Sequence, residues 1–185
     1  MVCSFAHCAD AGNAYTFGRN DKGQLGDGSF KSRSQPLKVP VAAKFVHAAT
    51  GRNHTLLVTE DGQVYSTGEN KACQLGHALN ANKDQNKFER VSALKDETVV
   101  RVACGVDFSI AITDKGAVWS WGNPQYGQLG HGSDQQHIGK GNKIIFEPQV
   151  PKLISRLKEK NIVDVQCGYN HSLALDDTGS IYVWG

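Results

Sequence analysis

The stretch Val118-Trp-Ser-Trp-Gly122-Asn-Pro-Gln-Tyr-Gly127-Gln-Leu-Gly130 sets the pattern that the rest of the chain repeats. It joins a short aromatic strand to a loop in which glycine recurs at fixed places. Glycine reaches positive φ without steric cost, so we interpret the loop as a fixed turn. The same pattern stands at residues 14–26 and 64–76, and its strand begins again at Ile181.

The glycine spacing extends this pattern over the whole sequence. In the two complete copies the glycines are separated by eleven, six and eight residues, and the last copy again shows eleven and six. Periods of this length indicate a repeat array or a propeller. We place the repeats at about 1–26, 27–76, 77–130 and 131–185. The structural glycines are Gly51, Gly62, Gly68, Gly76, Gly105, Gly116, Gly122, Gly130, Gly168 and Gly179.

Short runs rich in β-formers lie between the glycines and predict strands. Residues 55–59, 108–112 and 172–175 each end in a turn signal and lead into the aromatic strand. Another candidate strand precedes each first glycine, at 43–49, 99–103 and 162–166, and segments near 36–39 and 88–91 can supply an outer strand.

Each repeat thus offers about four short antiparallel strands and no long helix. The predicted fold is therefore all-β, a propeller of four-stranded blades. About three and a fraction blades are present, and we expect the sequence to be a piece of a longer chain with two exposed apolar blade faces.

One loop departs from the pattern. Cys73 stands where the other loops have Gly23 and Gly127. Either this position does not require positive φ, or the second loop is distorted.

The third connecting segment is longer than the others. From Gly130 to the next first glycine there are 38 residues, against 25 and 29 in the earlier copies. We interpret residues 134–160 as an insertion, in which Leu153, Ile154 and Leu157 would share one helical face. Its basic candidates for partner binding are Lys140, Lys143, Lys152 and Arg156. Three uses stay open: a solvated loop, a site for an acidic protein such as a GTPase switch region or a tubulin tail, or phosphate contacts with nucleosomal DNA.

Composition excludes several classes. The chain has 185 residues, 39% apolar and 21% charged, and a formal net charge of +2 that does not by itself imply nucleic acid. We find no apolar run long enough for a membrane span and no secretory signal, so we expect an intracellular protein. Five cysteines, an odd number, argue against a disulfide framework, and we expect neither a metal nor a cofactor nor a small-molecule substrate.

The residues resemble a known repeat. Cys104-Gly-Val-Asp-Phe-Ser-Ile-Ala-Ile112, Cys167-Gly-Tyr-Asn-His-Ser-Leu-Ala-Leu175 and the Gly-Gln-Leu-Gly loop are similar to the repeat of the regulator of chromosome condensation family. The resemblance covers essentially the whole chain. It implies a seven-bladed β-propeller, of which this chain would supply a part.

The resemblance also implies partners. The founding member catalyses nucleotide exchange on the Ran GTPase, and a mitotic branch is linked to Rac- and Arf-type GTPases. We therefore expect a non-enzymatic propeller scaffold that binds small GTPases and also nucleosomes or microtubules, in the nucleus, on chromosomes or the spindle, and in the cytosol. The alternative is a guanine nucleotide exchange factor.

The family's GTPase-binding face implies a set of rim residues here. Acidic and histidine side chains line that face in the founding member, at a position held here by Asn53, Asp107 and Asn170. Because only Asp107 is charged, exchange is the weaker hypothesis, but the same positions can still form a binding rim together with Arg52 and Tyr169. His54 and His171 recur at one repeat position, so we interpret them as structural residues that bond between blades rather than as catalytic ones.

Overall fold

The computed structural model describes residues 4–8, 12–77, 83–132, 136–138, 144–146 and 149–185. Its strands form small antiparallel sheets, two of which have four strands. In chain order the strands are β1 (Ser4–Cys8), β2 (Ala14–Gly18), β3 (Arg33–Lys38), β4 (Phe45–Thr50), β5 (His54–Thr59), β6 (Val64–Gly68), β7 (Gln85–Arg90), β8 (Val99–Cys104), β9 (Phe108–Thr113), β10 (Val118–Gly122), β11 (Gln136–Ile138), β12 (Ile144–Phe146), β13 (Gln149–Leu153), β14 (Ile162–Cys167), β15 (Ser172–Asp176) and β16 (Ile181–Trp184).

The two four-stranded sheets share one topology. Their strand orders are β4-β5-β6-β7 and β8-β9-β10-β13, and the flanking sheets β1-β2-β3 and β14-β15-β16 have three strands each. β4 contacts β8, and β8 contacts β14, so the first strands of successive sheets lie side by side at the centre. This confirms the predicted all-β propeller architecture with four strands in a blade.

The core lies between successive sheets. One cluster joins Leu56 and Val58 of β5 to Val102 of β8 and Trp121 of β10. The second strands β5 and β9 are buried at every position because both of their faces are covered, and their buried residues include polar ones such as Thr55 and Ser109.

The Gln-Leu-Gly loops connect the third strand to the outer strand and also hold the next sheet. The carbonyl oxygen of Gln74 accepts hydrogen bonds from Ser109 Oγ and from Trp121 Nε1, both at 2.8 Å. The Gln128 carbonyl accepts the corresponding bonds from Ser172 Oγ at 2.9 Å and Trp184 Nε1 at 2.8 Å. Each loop therefore forms a turn within one sheet and also accepts hydrogen bonds from the next sheet.

The outer strand of each complete sheet comes from the chain beyond the Gln-Leu-Gly loop. β7 follows Gly76, and β13 follows Gly130, so the chain completes a sheet only after the next sequence repeat has begun.

The predicted helical face in the third connecting segment is wrong. Leu153 ends the strand β13, Ile154 has extended backbone angles, and only Ser155–Leu157 forms a short 3₁₀ helix. The same elements, β7 and a 3₁₀ helix at Ser92–Leu94, occur in the preceding sheet. The apolar side chains of Ile154 and Leu157 still share one core cluster, because a strand followed by a 3₁₀ turn brings them to the same side.

The predicted insertion 134–160 includes elements that the preceding sheet also has. Its part from Gln149 onward is the outer strand and 3₁₀ turn that the preceding sheet also has, so the additional residues precede β13. Within them, β11 and β12 form a two-stranded antiparallel ribbon that pairs Gln136 with Phe146 and Ile138 with Ile144.

Neither alternative for Cys73 is correct. Cys73 has φ of 57°, close to the 79° of Gly23 and the 77° of Gly127. The position does require positive φ, and the loop keeps its shape with a cysteine in it.

Candidate binding rim at one end of the sheets

The loops between the first and second strands of successive sheets lie side by side. The Arg52 N–H donates to the Val106 carbonyl at 3.3 Å, and the Val106 N–H donates to the Tyr169 carbonyl at 3.2 Å. These two bonds connect residues 51–53, 105–107 and 168–170 into one edge, which we call the loop rim. The structure thus brings Arg52, Asn53, Asp107, Tyr169 and Asn170 to the same end of the sheets.

An ion pair crosses between two sheets on the loop rim. Arg52 Nη2 lies 2.7 Å from Asp107 Oδ2, and the two side chains are 45% and 21% exposed. Burial raises the pKa of Asp107, although the Arg52 guanidinium acts in the opposite direction. A pair with this exposure contributes at most about 1 kcal/mol to stability, so it orients the two side chains more than it holds the fold.

A buried amide lies behind this pair. Asn53 is 8% exposed, and its Nδ2 donates to Glu69 Oε2 at 2.8 Å. Glu69 Oε1 is 3.5 Å from Lys71 Nζ and 4.0 Å from Lys22 Nζ, so its charge is shared between two lysines. Glu69 follows a repeat glycine in a loop where the other copies have Arg19 and Asn123, and this variation gave no signal of its role.

Two side-chain oxygens of the loop rim have no hydrogen-bond donor within the described part of the chain. They are Asn53 Oδ1 and Asp107 Oδ1, both of which are buried. Buried polar atoms normally have a partner, so each such oxygen requires an explanation. Both atoms are acceptors, so only an N–H or O–H donor would satisfy them.

The loop between β14 and β15 adds an exposed aromatic residue to the loop rim. Tyr169 is 66% exposed, and Asn170 beside it is half-buried. A tyrosine in this setting combines apolar area with a hydroxyl group, a combination that is common at protein interfaces.

The two repeat histidines have different surroundings. His54 is fully buried, and its Nε2 lies 3.0 Å from Ser109 Oγ of the next sheet. Because that hydroxyl donates to the Gln74 carbonyl, it accepts from a protonated Nε2 of His54. Burial lowers the pKa of His54 to about 4, so the ring is neutral at physiological pH. His171 is exposed. His54 thus bonds to the neighbouring sheet, through the Ser109 hydroxyl group and the backbone at Phe108, as expected for a structural residue.

The basic candidates do not join the loop rim. Lys140 and Lys143 lie outside the described residues. Lys152 is exposed on the outer strand β13, and Arg156 is exposed in the 3₁₀ helix that follows it. The predicted partner-binding residues therefore fall on two surfaces.

The first strands enclose a polar recess of about 280 Å³. His47, Arg101 and Asp164 occupy the same position on β4, β8 and β14, and Arg101 Nη1 is 3.7 Å from Asp164 Oδ1. Cys104 and Cys167 also line the recess, and burial raises the pKa of Cys167 to about 12, so its thiol is unreactive. Among the described residues, no group of three or more histidine, cysteine or carboxylate side chains is placed to hold a metal ion, and no helix is long and apolar enough to cross a membrane.

The interlocked four-stranded sheets define a β-propeller fold. Family models described as the regulator of chromosome condensation (RCC1) repeat match residues 11–58, 61–112 and 115–175. The chain belongs to this family.

Within the family, the chain is most readily compared with proteins named RCC2. The chain is 40% identical to the protein RCC2 homolog of Xenopus laevis over 189 residues and 38% identical to human protein RCC2, and each alignment covers 94% of this chain but only 36% of the relative. The ultraviolet-B receptor UVR8 of Arabidopsis thaliana is 32% identical over the whole chain. The chain thus spans little more than a third of the length of the RCC2 proteins it resembles.

Solved structures support the fold. Human WBSCR16 superposes with a TM-score of 0.82 at 23% identity, with 99% of this chain and 45% of that chain covered. Prp20p from Saccharomyces cerevisiae, whose structure was described with its binding properties to Gsp1p and histones, gives a TM-score of 0.74 at 20% identity and covers 96% of this chain and 43% of its own.

Proposed function

We propose that this protein is a propeller scaffold that binds a small GTPase through the loop rim and chromatin or spindle partners through other surfaces. The RCC1 family membership and the likeness to RCC2 support a regulator of this kind, which makes and breaks no covalent bonds. The binding of Prp20p to Gsp1p and histones supports the pairing of a GTPase with chromatin. On this proposal the protein acts in mitosis, the cytoskeleton or chromosome segregation, and it is found in the nucleus, on chromosomes or the spindle, and in the cytosol.

One observation carries the GTPase part of the proposal. Asn53 Oδ1 and Asp107 Oδ1 are buried acceptors on the loop rim without a donor from the described residues. A lysine or arginine side chain of a partner would supply such donors once the rim side chains rotate to expose these oxygens, and a charge-assisted hydrogen bond to a partly desolvated carboxylate is among the stronger polar contacts. The exposed Tyr169 adds apolar contact area beside them.

Catalysed exchange is the second candidate function. An exchange factor stabilises the nucleotide-free GTPase. A carboxylate aids this by competing with the nucleotide's phosphate groups for a lysine of the GTPase or for the bound magnesium. Asp107 is the acidic residue among the rim positions, and a partner would have to compete with Arg52 for its carboxylate. Only one of the three equivalent rim positions is acidic, which favours binding over exchange.

Two measurements separate these functions. Binding is measured by calorimetry for Rac-, Arf- and Ran-type GTPases in the GDP-bound, GTP-analogue-bound and nucleotide-free forms. Exchange is measured as the release of a fluorescent GDP analogue at substoichiometric protein. A scaffold binds at least one GTPase without accelerating release, whereas an exchange factor prefers the nucleotide-free form and turns over.

Asp107→Lys tests the loop rim directly. It should abolish exchange if the protein is an exchange factor, and it should weaken GTPase binding if the protein is a scaffold, because it replaces the acceptor with a cation that repels a partner's lysine or arginine. The matched control is Asp114→Lys, which makes the same charge change in the exposed turn at the opposite end of β9. Equal effects of the two variants on binding would show that the loop rim is not the binding surface, and failure of all three GTPase types to bind would overturn the GTPase part of the proposal.

A further inference from the structure

The outer strands of three successive sheets form a continuous outer edge. The loop after β2 is joined to β7, since the Gly28 N–H donates to the Asn86 carbonyl at 2.7 Å and Asn86 Nδ2 donates back to the Gly28 carbonyl at 2.8 Å. In the next junction, a side chain added at Gly76 would meet Pro151 of β13 at 3.1 Å. The segments 27–38, 83–90 and 149–156 therefore follow one another around the molecule. We call them the outer basic band.

The band is strongly positive although the chain is not. Its three segments carry eight lysines and arginines against three carboxylates, a surplus of five, whereas the whole chain has a formal net charge of +2. The remaining residues together carry a charge of −3. Such an asymmetry is the electrostatic footprint of a polyanion-binding surface, because the local field and not the net charge attracts the ligand.

Most of the cations in the band lack a counterion. Two of its three carboxylates are already paired, Asp27 with Arg33 and Asp84 with Lys22. Arg90 is held by Gln63 and by the Lys95 carbonyl. The other cations are exposed and form no ion pair within the described residues: Lys31, Lys38, Lys83, Lys87, Lys152 and Arg156.

We infer that the outer basic band binds the sugar-phosphate backbone of duplex DNA. The inference rests on the chromatin part of the proposed function, and it locates that contact on the outer strands. Five of the six unpaired cations are lysines, which act as point charges toward phosphate and do not read bases. Their distribution over the three segments of the band suits a long polyanion that runs across successive sheets.

An acidic peptide is the less suitable occupant. A peptide that adds to a sheet edge needs free N–H donors and side-chain pockets, whereas β3 and β13 contain Pro36 and Pro151 and the edge carries lysines. These features oppose strand addition and leave phosphate contacts unaffected. The band therefore favours nucleic acid over a protein tail.

The test is the salt dependence of binding to a fluorescent duplex of random sequence, measured by anisotropy with the full protein. We expect log affinity to fall linearly with log salt, with a slope of about −0.9 for each phosphate contacted. The variant Lys38→Gln/Lys87→Gln/Lys152→Gln should weaken binding by about tenfold or more and reduce the magnitude of the slope by about 2 to 3.

The control makes the same charge change elsewhere. Lys44, Lys115 and Lys160 are exposed and lie beside the ends of the inner strands β4, β9 and β14, and their triple change to glutamine should leave the slope nearly unchanged. Circular dichroism and thermal unfolding verify that both variants are folded.

Three results would overturn the inference: no salt-sensitive retention of the duplex, equal losses in the two triple variants, or binding to polyglutamate that the duplex does not compete away. The GTPase assays above do not depend on the outer basic band. A failure here and a failure of GTPase binding are therefore distinguishable.

Discussion

Cys73 is a residue whose backbone conformation is unfavourable for its side chain. It has φ of 57° where the equivalent residues are glycines, and a non-glycine residue in this region costs about 1 kcal/mol. We expect Cys73→Gly to be more stable than Cys73→Ala by about 1 kcal/mol, the reverse of the usual order, because both lose the thiol and only glycine loses the strain.

Denaturant unfolding of the two variants measures this difference. Gly127→Ala is a reference for the cost of positive φ alone, since nothing lies within 4 Å of the added methyl group, and it should lose about 1 kcal/mol. A Cys73→Ala variant as stable as Cys73→Gly would show that the loop relaxes out of the left-handed region.

His54 makes stability depend on pH. Burial lowers its pKa from 6.5 to about 4, so the unfolded chain binds a proton between these values that the folded protein does not. The contribution of the neutral ring to stability is complete above pH 6.5 and declines as the pH falls toward about 4, where the loss amounts to about 3 kcal/mol.

The measurement is the free energy of unfolding from pH 7 to pH 4 for the protein and for His54→Phe, which installs the residue that the next sheet has at Phe108. The variant should lose less stability over this range. Because the pKa values of His47, His77 and His131 are also lowered by burial, both proteins keep some dependence, and His54 accounts for the difference. Parallel curves for the two proteins would contradict the prediction.

At the scale of the element, the Gln-Leu-Gly loops hold neighbouring sheets by hydrogen bonds from the next sheet. Trp119 and Trp121 lie in the same strand, but only Trp121 Nε1 donates to Gln74, whereas Trp119 Nε1 is buried without an acceptor among the described residues. We expect Trp121→Phe to cost about 2 kcal/mol, from the lost bond and lost packing, and Trp119→Phe to cost less than about 1 kcal/mol because it also removes an unsatisfied donor.

Chemical denaturation of the two variants gives both values. A larger loss of stability in Trp119→Phe than in Trp121→Phe would show that packing, and not the hydrogen bond to Gln74, dominates this junction.

The strands were predictable because their signals are local, whereas the contacts between sheets were not. Phe108–Thr113 and its equivalents lie within one residue of the predicted ranges, since apolar runs and turn glycines mark them directly. The segment around Leu153 and Ile154 was mistaken for a helix, because a strand that leads into a 3₁₀ turn places apolar residues at a similar spacing. Alignment of the repeats does indicate the correct structure, because a strand followed by a 3₁₀ helix also precedes Val99 in the preceding sheet.

At the scale of the whole molecule, two junctions between sheets repeat one set of hydrogen bonds, and each core cluster joins residues of neighbouring sheets. The sheets should therefore unfold together. Far-ultraviolet circular dichroism and tryptophan fluorescence should give coincident denaturation curves, and Trp121→Phe should shift both to the same extent. Two separated transitions would show that the sheets are independent units.

The candidate site shows the same division between what was and was not predictable. The loop-rim residues follow from their equivalent positions in each repeat, because equivalent loops of a propeller meet at one end. Glu69 was missed, since its contact with Asn53 depends on which side chain occupies a variable loop position. The outer basic band was also missed, because its three segments are far apart in sequence and only the stacking of sheets brings their charges together.

Each outer strand comes from the sequence repeat that follows the rest of its sheet, and this has a consequence for how such chains gain or lose repeats. The first three strands of each complete sheet belong to one sequence repeat, whereas the outer strand, β7 or β13, belongs to the next repeat. Neighbouring repeats are therefore linked by a strand that one contributes to the sheet of the other. A duplication or deletion of one full period, wherever it starts, therefore adds or removes one whole sheet and leaves every remaining sheet with an outer strand. The boundaries of the duplicated or deleted sequence therefore need not coincide with the boundaries of a sheet for the resulting chain to fold.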